Sequence, residues 1–231
     1  PRGLVVSCGI APRYSDIDAV AMAAAAIDEA VRNAVCVGVD VDKIAGLDNF
    51  CWPDPIESEK TPDGKFKLAQ LVRANRELER ICRAYRLPCV SGKDSMKNDY
   101  GKGQDKISIP PTLLFSLFGD HPDVRNLATS DLKHPGDKLY LVGESLEELG
   151  ASELAFMMTE NGQSAGIGGN VPLLSDPDRL FSSYRALSKA INSGVVKTAH
   201  DCSEGGVGVA LAEMCIGGRI GAKIDIDGTG N

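Results

Sequence analysis

The spacing of apolar residues changes along this chain, and each change marks an element. Residues 3–8, GLVVSC, form a short β-branched run and predict a strand. A loop follows at 11–16, with Asp16 placed to cap a helix over 17–36. Alanine dominates that helix and apolar residues surround it, so it predicts burial on most sides. Its polar residues, Asp28, Glu29, Arg32 and Asn33, gather near the end. A strand is expected at 43–50, then an irregular loop at 51–64 punctuated by Pro53, Pro55, Pro62 and Gly64. Residues 65–86 give the cleanest helical period, with Leu68, Leu71, Val72, Leu78, Cys82 and Tyr85 on one face.

Beyond it, 88–92 predicts a strand opening into a polar loop at 93–105. Residues 106–109 and 112–119 read as a strand pair broken by Pro110-Pro111. Residues 120–136 lack periodicity, and a boundary between two subdomains, 1–130 and 131–231, is placed there. The second part predicts strands at 138–143, 195–199 and 220–226 and helices at 152–158, 176–192 and 207–215, with a glycine-rich stretch at 162–169. Strands followed by helices within a few tens of residues predict an α/β layered fold with mixed sheets.

Composition narrows the partners. A net charge of −7 with no basic stripe gives no electrostatic basis for nucleic-acid binding. The seven cysteines form no CxxC pair, so neither zinc nor a disulfide framework is indicated. No apolar run approaches the ~20 residues of a membrane span, and no signal peptide opens the chain. These features fit a cytosolic protein. The bounds at Pro1 and Asn231 fall directly against strand-like segments, which reads as a piece of a longer protein.

Three places carry residues suited to phosphate or metal chemistry. At 198–214 an acid, Asp201, and a hydroxyl, Ser203, precede Gly205, Gly206 and a small-residue helix. Helix N-termini offer unpaired N–H groups and partial positive charge to phosphate, and an adjacent aspartate can hold its divalent cation. Ser203 is equally a good helix cap for a turn without ligand. Glu29 and Asn33, four residues apart, share a helix face and offer two oxygens to Mg²⁺. The alternative is surface charge engaged in Glu29–Arg32 or Asp28–Arg32 pairs. Ser91, Gly92, Lys93, Asp94 and Ser95 sit where a strand opens, and their N–H groups with the lysine ammonium could cradle phosphate. The G-x-x-x-x-G-K-[ST] spacing of a Walker loop is absent. His121 and His134 are expected in solvent, and His200 beside Asp201 is as readily a structural hydrogen-bond partner as a base. No general acid or base is assigned. Residues 162–170 are read as a flexible connector and left out of the site.

Five ordered strings carry a family resemblance: GIAPRYSDID at 9–18, AIDEAVRNAVCV at 26–37, LDNF at 47–50, VSGKDSMKN at 90–98 and HDCSEGG at 200–206. Together with GGRIGAKIDID at 217–227, the chain resembles the second aminoimidazole-ribonucleotide-synthetase-like half of phosphoribosylformylglycinamidine synthases. The resemblance implies a fold of mixed sheets packed with helices in two subdomains. It implies ATP- and glutamine-dependent conversion of formylglycinamide ribonucleotide to the amidine in purine biosynthesis. It also implies Mg²⁺ and ATP or ADP as cofactors. By the family pattern Glu29, Asn33 and Asp201 bind the metal, while Ser91–Ser95, Ser203, Gly205 and Gly206 bind phosphate, with Asp48 and Asn49 near the same cleft. The implied partners are the remaining half of the synthase and a glutaminase. In long forms of the family this half holds a structural, non-hydrolysed nucleotide. A histidine implicated in the chemistry lies upstream in the family pattern, outside this chain, so the piece alone is expected to be inactive. Two other readings stand beside this one: a non-catalytic assembly module, and another enzyme of the aminoimidazole ribonucleotide synthetase superfamily.

Overall fold

The computed structural model describes residues 1–101, 105–158 and 168–225. Four strands form one sheet: β1 (Gly3–Ile10), β2 (Ile44–Cys51), β3 (Cys89–Ser95) and β6 (Thr112–His121), in the order β1-β6-β2-β3. β6 runs antiparallel to β1 and β2, and β2 runs parallel to β3, so the sheet is mixed. Two short strands, β4 (Asp99–Tyr100) and β5 (Ile107–Ser108), pair separately. Helix α1 (Ala19–Cys36) lies against β1 and β6, and α2 (Gly64–Ala84) packs on α1 from outside.

Alternation along each strand decides which face α1 covers. Val5 on β1, Ile44 and Phe50 on β2, and Leu113, Phe115 and Leu117 on β6 face the helices and are buried. The other face is open, with Leu4 75% and Val6 71% exposed. α1 is as enclosed as its composition predicts: twelve of its residues are buried, Ala19 through Val35. Alanine makes this possible, because a helix without bulk can approach both a sheet and a second helix. At Gly9 a Cβ would collide with the Ala26 carbonyl oxygen, so glycine there sets how closely β1 meets α1.

The later segment carries α3 (Glu153–Met157), α4 (Pro177–Asn192) and α5 (Gly206–Gly218). α4 packs on α1 and α2, and its Phe181 and Tyr184 belong to the main core. Among the described residues no helix is long and apolar enough to cross a membrane.

Several expectations need correction. Asp18, not Asp16, caps α1, its Oδ1 accepting the Val20 N–H at 2.8 Å, while Asp16 closes a short 3-10 turn. Residues 93–95 continue β3 instead of opening a loop. β5 and β6 do not pair with each other, because β5 takes β4 and β6 takes β1 and β2. Residues 138–143 form no strand, 195–199 hold only an isolated bridge from Thr198 to Thr129, and 220–225 are irregular. Those apolar runs have strand composition but no neighbouring ladder, and a lone strand leaves its backbone groups unpaired. Residues 162–167 and 226–227 lie outside the described residues.

Candidate functional site

The end of β1, the middle of α1 and the turn before α5 meet at one place. Glu29 projects from α1 toward β1, where its Oε2 accepts the Ile10 N–H at 2.8 Å. This contact follows from Gly9, whose missing side chain lets the strand lie against the Ala26–Ala30 turn of the helix. Asn33 lies one turn further along α1 and is exposed. Burial pushes the Glu29 carboxyl above its ordinary range; the Ile10 N–H and Arg32 oppose the rise, while Asp201 and Glu204 add to it. The turn bearing Asp201 reaches the same stretch of α1 through Arg32, which stands 3.9 Å from Asp201 Oδ2, although 172 positions (201 − 29) separate Asp201 from Glu29.

The turn at 200–206 is tightly organised. Ser203 donates its hydroxyl to Asp201 Oδ2, and its carbonyl accepts the Gly206 N–H at 3.0 Å. Gly205 and Gly206 take φ of +81° and +62°, left-handed values that favour glycine. The cap position of α5 is Gly205, with no side-chain cap, so Ser203 serves Asp201 instead of the helix. The Asp201 side chain is only 9% exposed and stands 3.9 Å from the Arg32 guanidinium. Arg32 bonds Asp28 Oδ2 at 2.7 Å through Nε and the Cys202 carbonyl at 2.5 Å through Nη1. The Asp28–Arg32 pair anticipated from spacing is thus real, and it lies beside Glu29 instead of replacing it.

His200 is held from both sides, by the Asp201 carbonyl at 2.8 Å on Nδ1 and by Glu213 at 2.8 Å on Nε2. That is an orienting arrangement. His134 is exposed as expected, but His121 is buried at the end of β6. Its Nε2 donates to the Val37 carbonyl at 3.1 Å and its Nδ1 accepts the Asp123 N–H at 3.2 Å. Proline spacing placed it in solvent because the strand ending beneath it was drawn two residues too short.

Ser91–Ser95 lie elsewhere. They belong to β3, at the far edge of the sheet from β1, three strand spacings or about 14 Å away. Successive N–H groups of a strand point in opposite directions, so this stretch forms no cradle of consecutive donors. The register still relates them to the site. Ile10 faces Leu114, Leu114 faces Asn49, and Asn49 faces Lys93, giving one row across the sheet. Asp48 and Asn49 lie within β2, as the strand expected at 43–50 implies. Gly92 is shaped by Asp48, since a Cβ there would sit 2.5 Å from Asp48 Oδ1. A surface depression of about 610 Å³, lined by Arg2, Leu4, Lys43 and Asp120 among others, opens at the opposite end of β1.

Among the described residues, no group of three His, Cys, Asp or Glu side chains could hold a metal. Glu29, Asn33 and Asp201 supply two carboxylates and an amide. That donor set suits Mg²⁺, which commonly takes one or two protein carboxylates and fills its shell with phosphate oxygens and water. Sequence reasoning missed Gly9 and the Arg32–Cys202 bond. Gly9 stood unassigned inside the first of the resembling strings, whereas a bond to a carbonyl 170 positions away leaves no local signal.

Comparison with known proteins agrees with this architecture. Residues 134–230 match the family model for AIR synthase related protein, C-terminal domain. The phosphoribosylformylglycinamidine synthase subunit PurL of Deinococcus radiodurans is 35% identical over 98% of this chain, which spans 29% of that protein. The fold of T. maritima PurL complexed with FGAR aligns over 94% of this chain and 32% of that one, with a TM-score of 0.66 at 16% identity. The structure of PurLQS from Thermotoga maritima aligns over 92% of this chain and 29% of that one, with a TM-score of 0.57 at 15% identity. The chain thus has the fold of the aminoimidazole-ribonucleotide-synthetase-like proteins. Over nearly its whole length it is similar to part of the phosphoribosylformylglycinamidine synthase subunits, and it spans less than a third of the length of the relatives it matches.

Proposed function

We propose that this chain supplies the Mg²⁺ and nucleotide-phosphate side of a synthase that converts formylglycinamide ribonucleotide to its amidine with ATP and glutamine. The observation that carries the reading is the docking of the turn that bears Asp201 onto α1, through Arg32, one turn of helix from Glu29. Two carboxylates there repel, and the Arg32 guanidinium, 3.9 Å from Asp201, offsets part of that charge while its hydrogen bonds go to Asp28 and Cys202. A divalent ion bridging nucleotide phosphates would complete the balance and spread the charge of the phosphoryl oxygens.

In this reading Glu29, Asn33 and Asp201 hold the metal. Ser203 and the left-handed turn at Gly205 and Gly206 take phosphate through hydroxyl and N–H donors. Ser91, Gly92, Lys93, Asp94 and Ser95 act on a second, more distant group. Lys93 and Asn49 share the cross-sheet row that starts at Ile10, on the sheet face opposite α1. The chain's own residues bind and orient; none is assigned a proton transfer, and the piece alone is proposed to be inactive. The cytoplasm is the proposed location, and the proposed partners are the rest of the synthase and a glutaminase. The open sheet face, with Leu4 and Val6 exposed, favours assembly as a second role of the same chain.

Calorimetry with Mg²⁺-ADP tests the reading. Saturable heat that vanishes when EDTA removes the metal supports it. No heat with or without Mg²⁺ leaves the assembly role alone.

A further inference from the structure

We propose that Arg32 is a positioning residue that ties the turn carrying Asp201 and Ser203 to helix α1, and so fixes the separation of Asp201 from Glu29. The inference deepens the proposed nucleotide site and rests on reading those two carboxylates as parts of it. Its own support is a chain of bonds that runs beside the site. The guanidinium bonds Asp28 Oδ2 at 2.7 Å on one side and the Cys202 carbonyl at 2.5 Å on the other, with the Ser203 hydroxyl at 3.4 Å. It grips the backbone of the turn between Asp201 and Ser203. At 3.9 Å from Asp201 it tempers that carboxylate's charge without consuming it as a hydrogen-bond partner.

Arg32 is itself held from behind. Asp28 is 5% exposed, and its Oδ1 accepts the Tyr85 hydroxyl at 2.6 Å and the Tyr184 hydroxyl at 2.8 Å. Those phenols come from α2–β3 connecting backbone at the end of α2 and from α4, so three parts of the fold converge on one carboxylate. Tyr85 also stacks on Phe181 with ring centroids 5.3 Å apart. A side chain needed only for packing would not require this set of partners. A buried ion pair adds little net stability over apolar residues of similar volume, but its fixed geometry can select one arrangement. The planar guanidinium presents separate donors to Asp28 and Cys202, whereas a lysine ammonium offers one point of charge.

The test compares Arg32→Lys with the unaltered chain by amide hydrogen exchange, calorimetry and thermal unfolding. Lysine keeps a cation for Asp28, so thermal stability should stay near the original. The span to Cys202 is lost, so exchange at 200–206 should rise about tenfold while α1 stays protected. Mg²⁺-ADP affinity should fall by about tenfold. Unchanged exchange at 200–206 overturns the inference, as does full affinity in the variant. If the unaltered chain binds no Mg²⁺-ADP, the functional reading fails by itself, and the exchange result still decides whether Arg32 holds the turn. Should Arg32→Lys fail to fold, Tyr184→Phe removes a single hydroxyl behind Asp28. It should raise exchange at 200–206 to a smaller extent, and no rise there counts against the inference.

Discussion

Residues 3–121 and residues 134–225 both contain apolar runs of strand and helix character, yet they end in different states. In the first region every long strand has a neighbour, and α1 fills the space between sheet and α2. In the second, the run at 138–143 stands in solvent with Tyr140 81% exposed, and α5 buries only Ala210 and Met214. The same kind of sequence therefore gives order where a ladder closes and exposure where none is at hand. α4 shows that the difference is one of partners: Phe181 and Tyr184 belong to the second region in sequence and to the first region's core in space. The candidate site lies where the regions touch, at the bonds from Arg32 of α1 to the turn before α5.

The largest effect should come from the bond set that joins the regions. Asp28→Ala leaves the Arg32 guanidinium without its carboxylate and two phenols without their acceptor. A loss of about 3–5 kcal/mol is expected by urea unfolding, because a partly buried charge is left uncompensated. A loss below about 1 kcal/mol would mean the network is solvated and the regions are only loosely joined.

Two glycine substitutions sharpen the contrast through opposite signs. Gly46 on β2 lies under the Phe115 ring, into which a Cβ would press, so Gly46→Ala should cost about 1–3 kcal/mol. Gly208 in α5 has nothing within 4 Å of its Cβ position. Gly208→Ala should therefore slow hydrogen exchange in α5, by an amount near the ~1 kcal/mol helix penalty of glycine. A destabilised α5 would show that this helix has a close neighbour. Smallest of all, Tyr140→Ser should change unfolding free energy by less than about 0.5 kcal/mol, since the side chain is already in water. A larger loss would mean that 138–143 takes part in the core.

Long periodic elements were legible in the sequence. α1, α2 and α4 lie close to where spacing places them, because a helix makes its hydrogen bonds within itself. Strands were legible only where a partner exists, since composition marks a strand's surface but not its neighbour. The β4–β5 ribbon escaped notice because two-residue strands carry no period. In the candidate site, Glu29 and Asn33 were visible as an i, i+4 pair and Asp201 as an acid before a glycine turn. That they serve one ion was implied by the family resemblance alone, because a long-range pairing leaves no trace in either segment. Gly9 is the exception that could have been found, a glycine closing a strand that must lie against an alanine-rich helix.

The central claim, that α1 and the turn before α5 act on one ligand, is tested most directly by a double-mutant cycle on Mg²⁺-ADP affinity. Glu29→Gln keeps an acceptor for the Ile10 N–H, so apo thermal stability should hold while affinity falls. Asp201→Asn should lower affinity likewise. If both carboxylates serve one cation, the double variant should lose less than the sum of the single losses, with a coupling of at least ~1 kcal/mol. Strictly additive losses, or no loss in either single variant, would contradict the shared site.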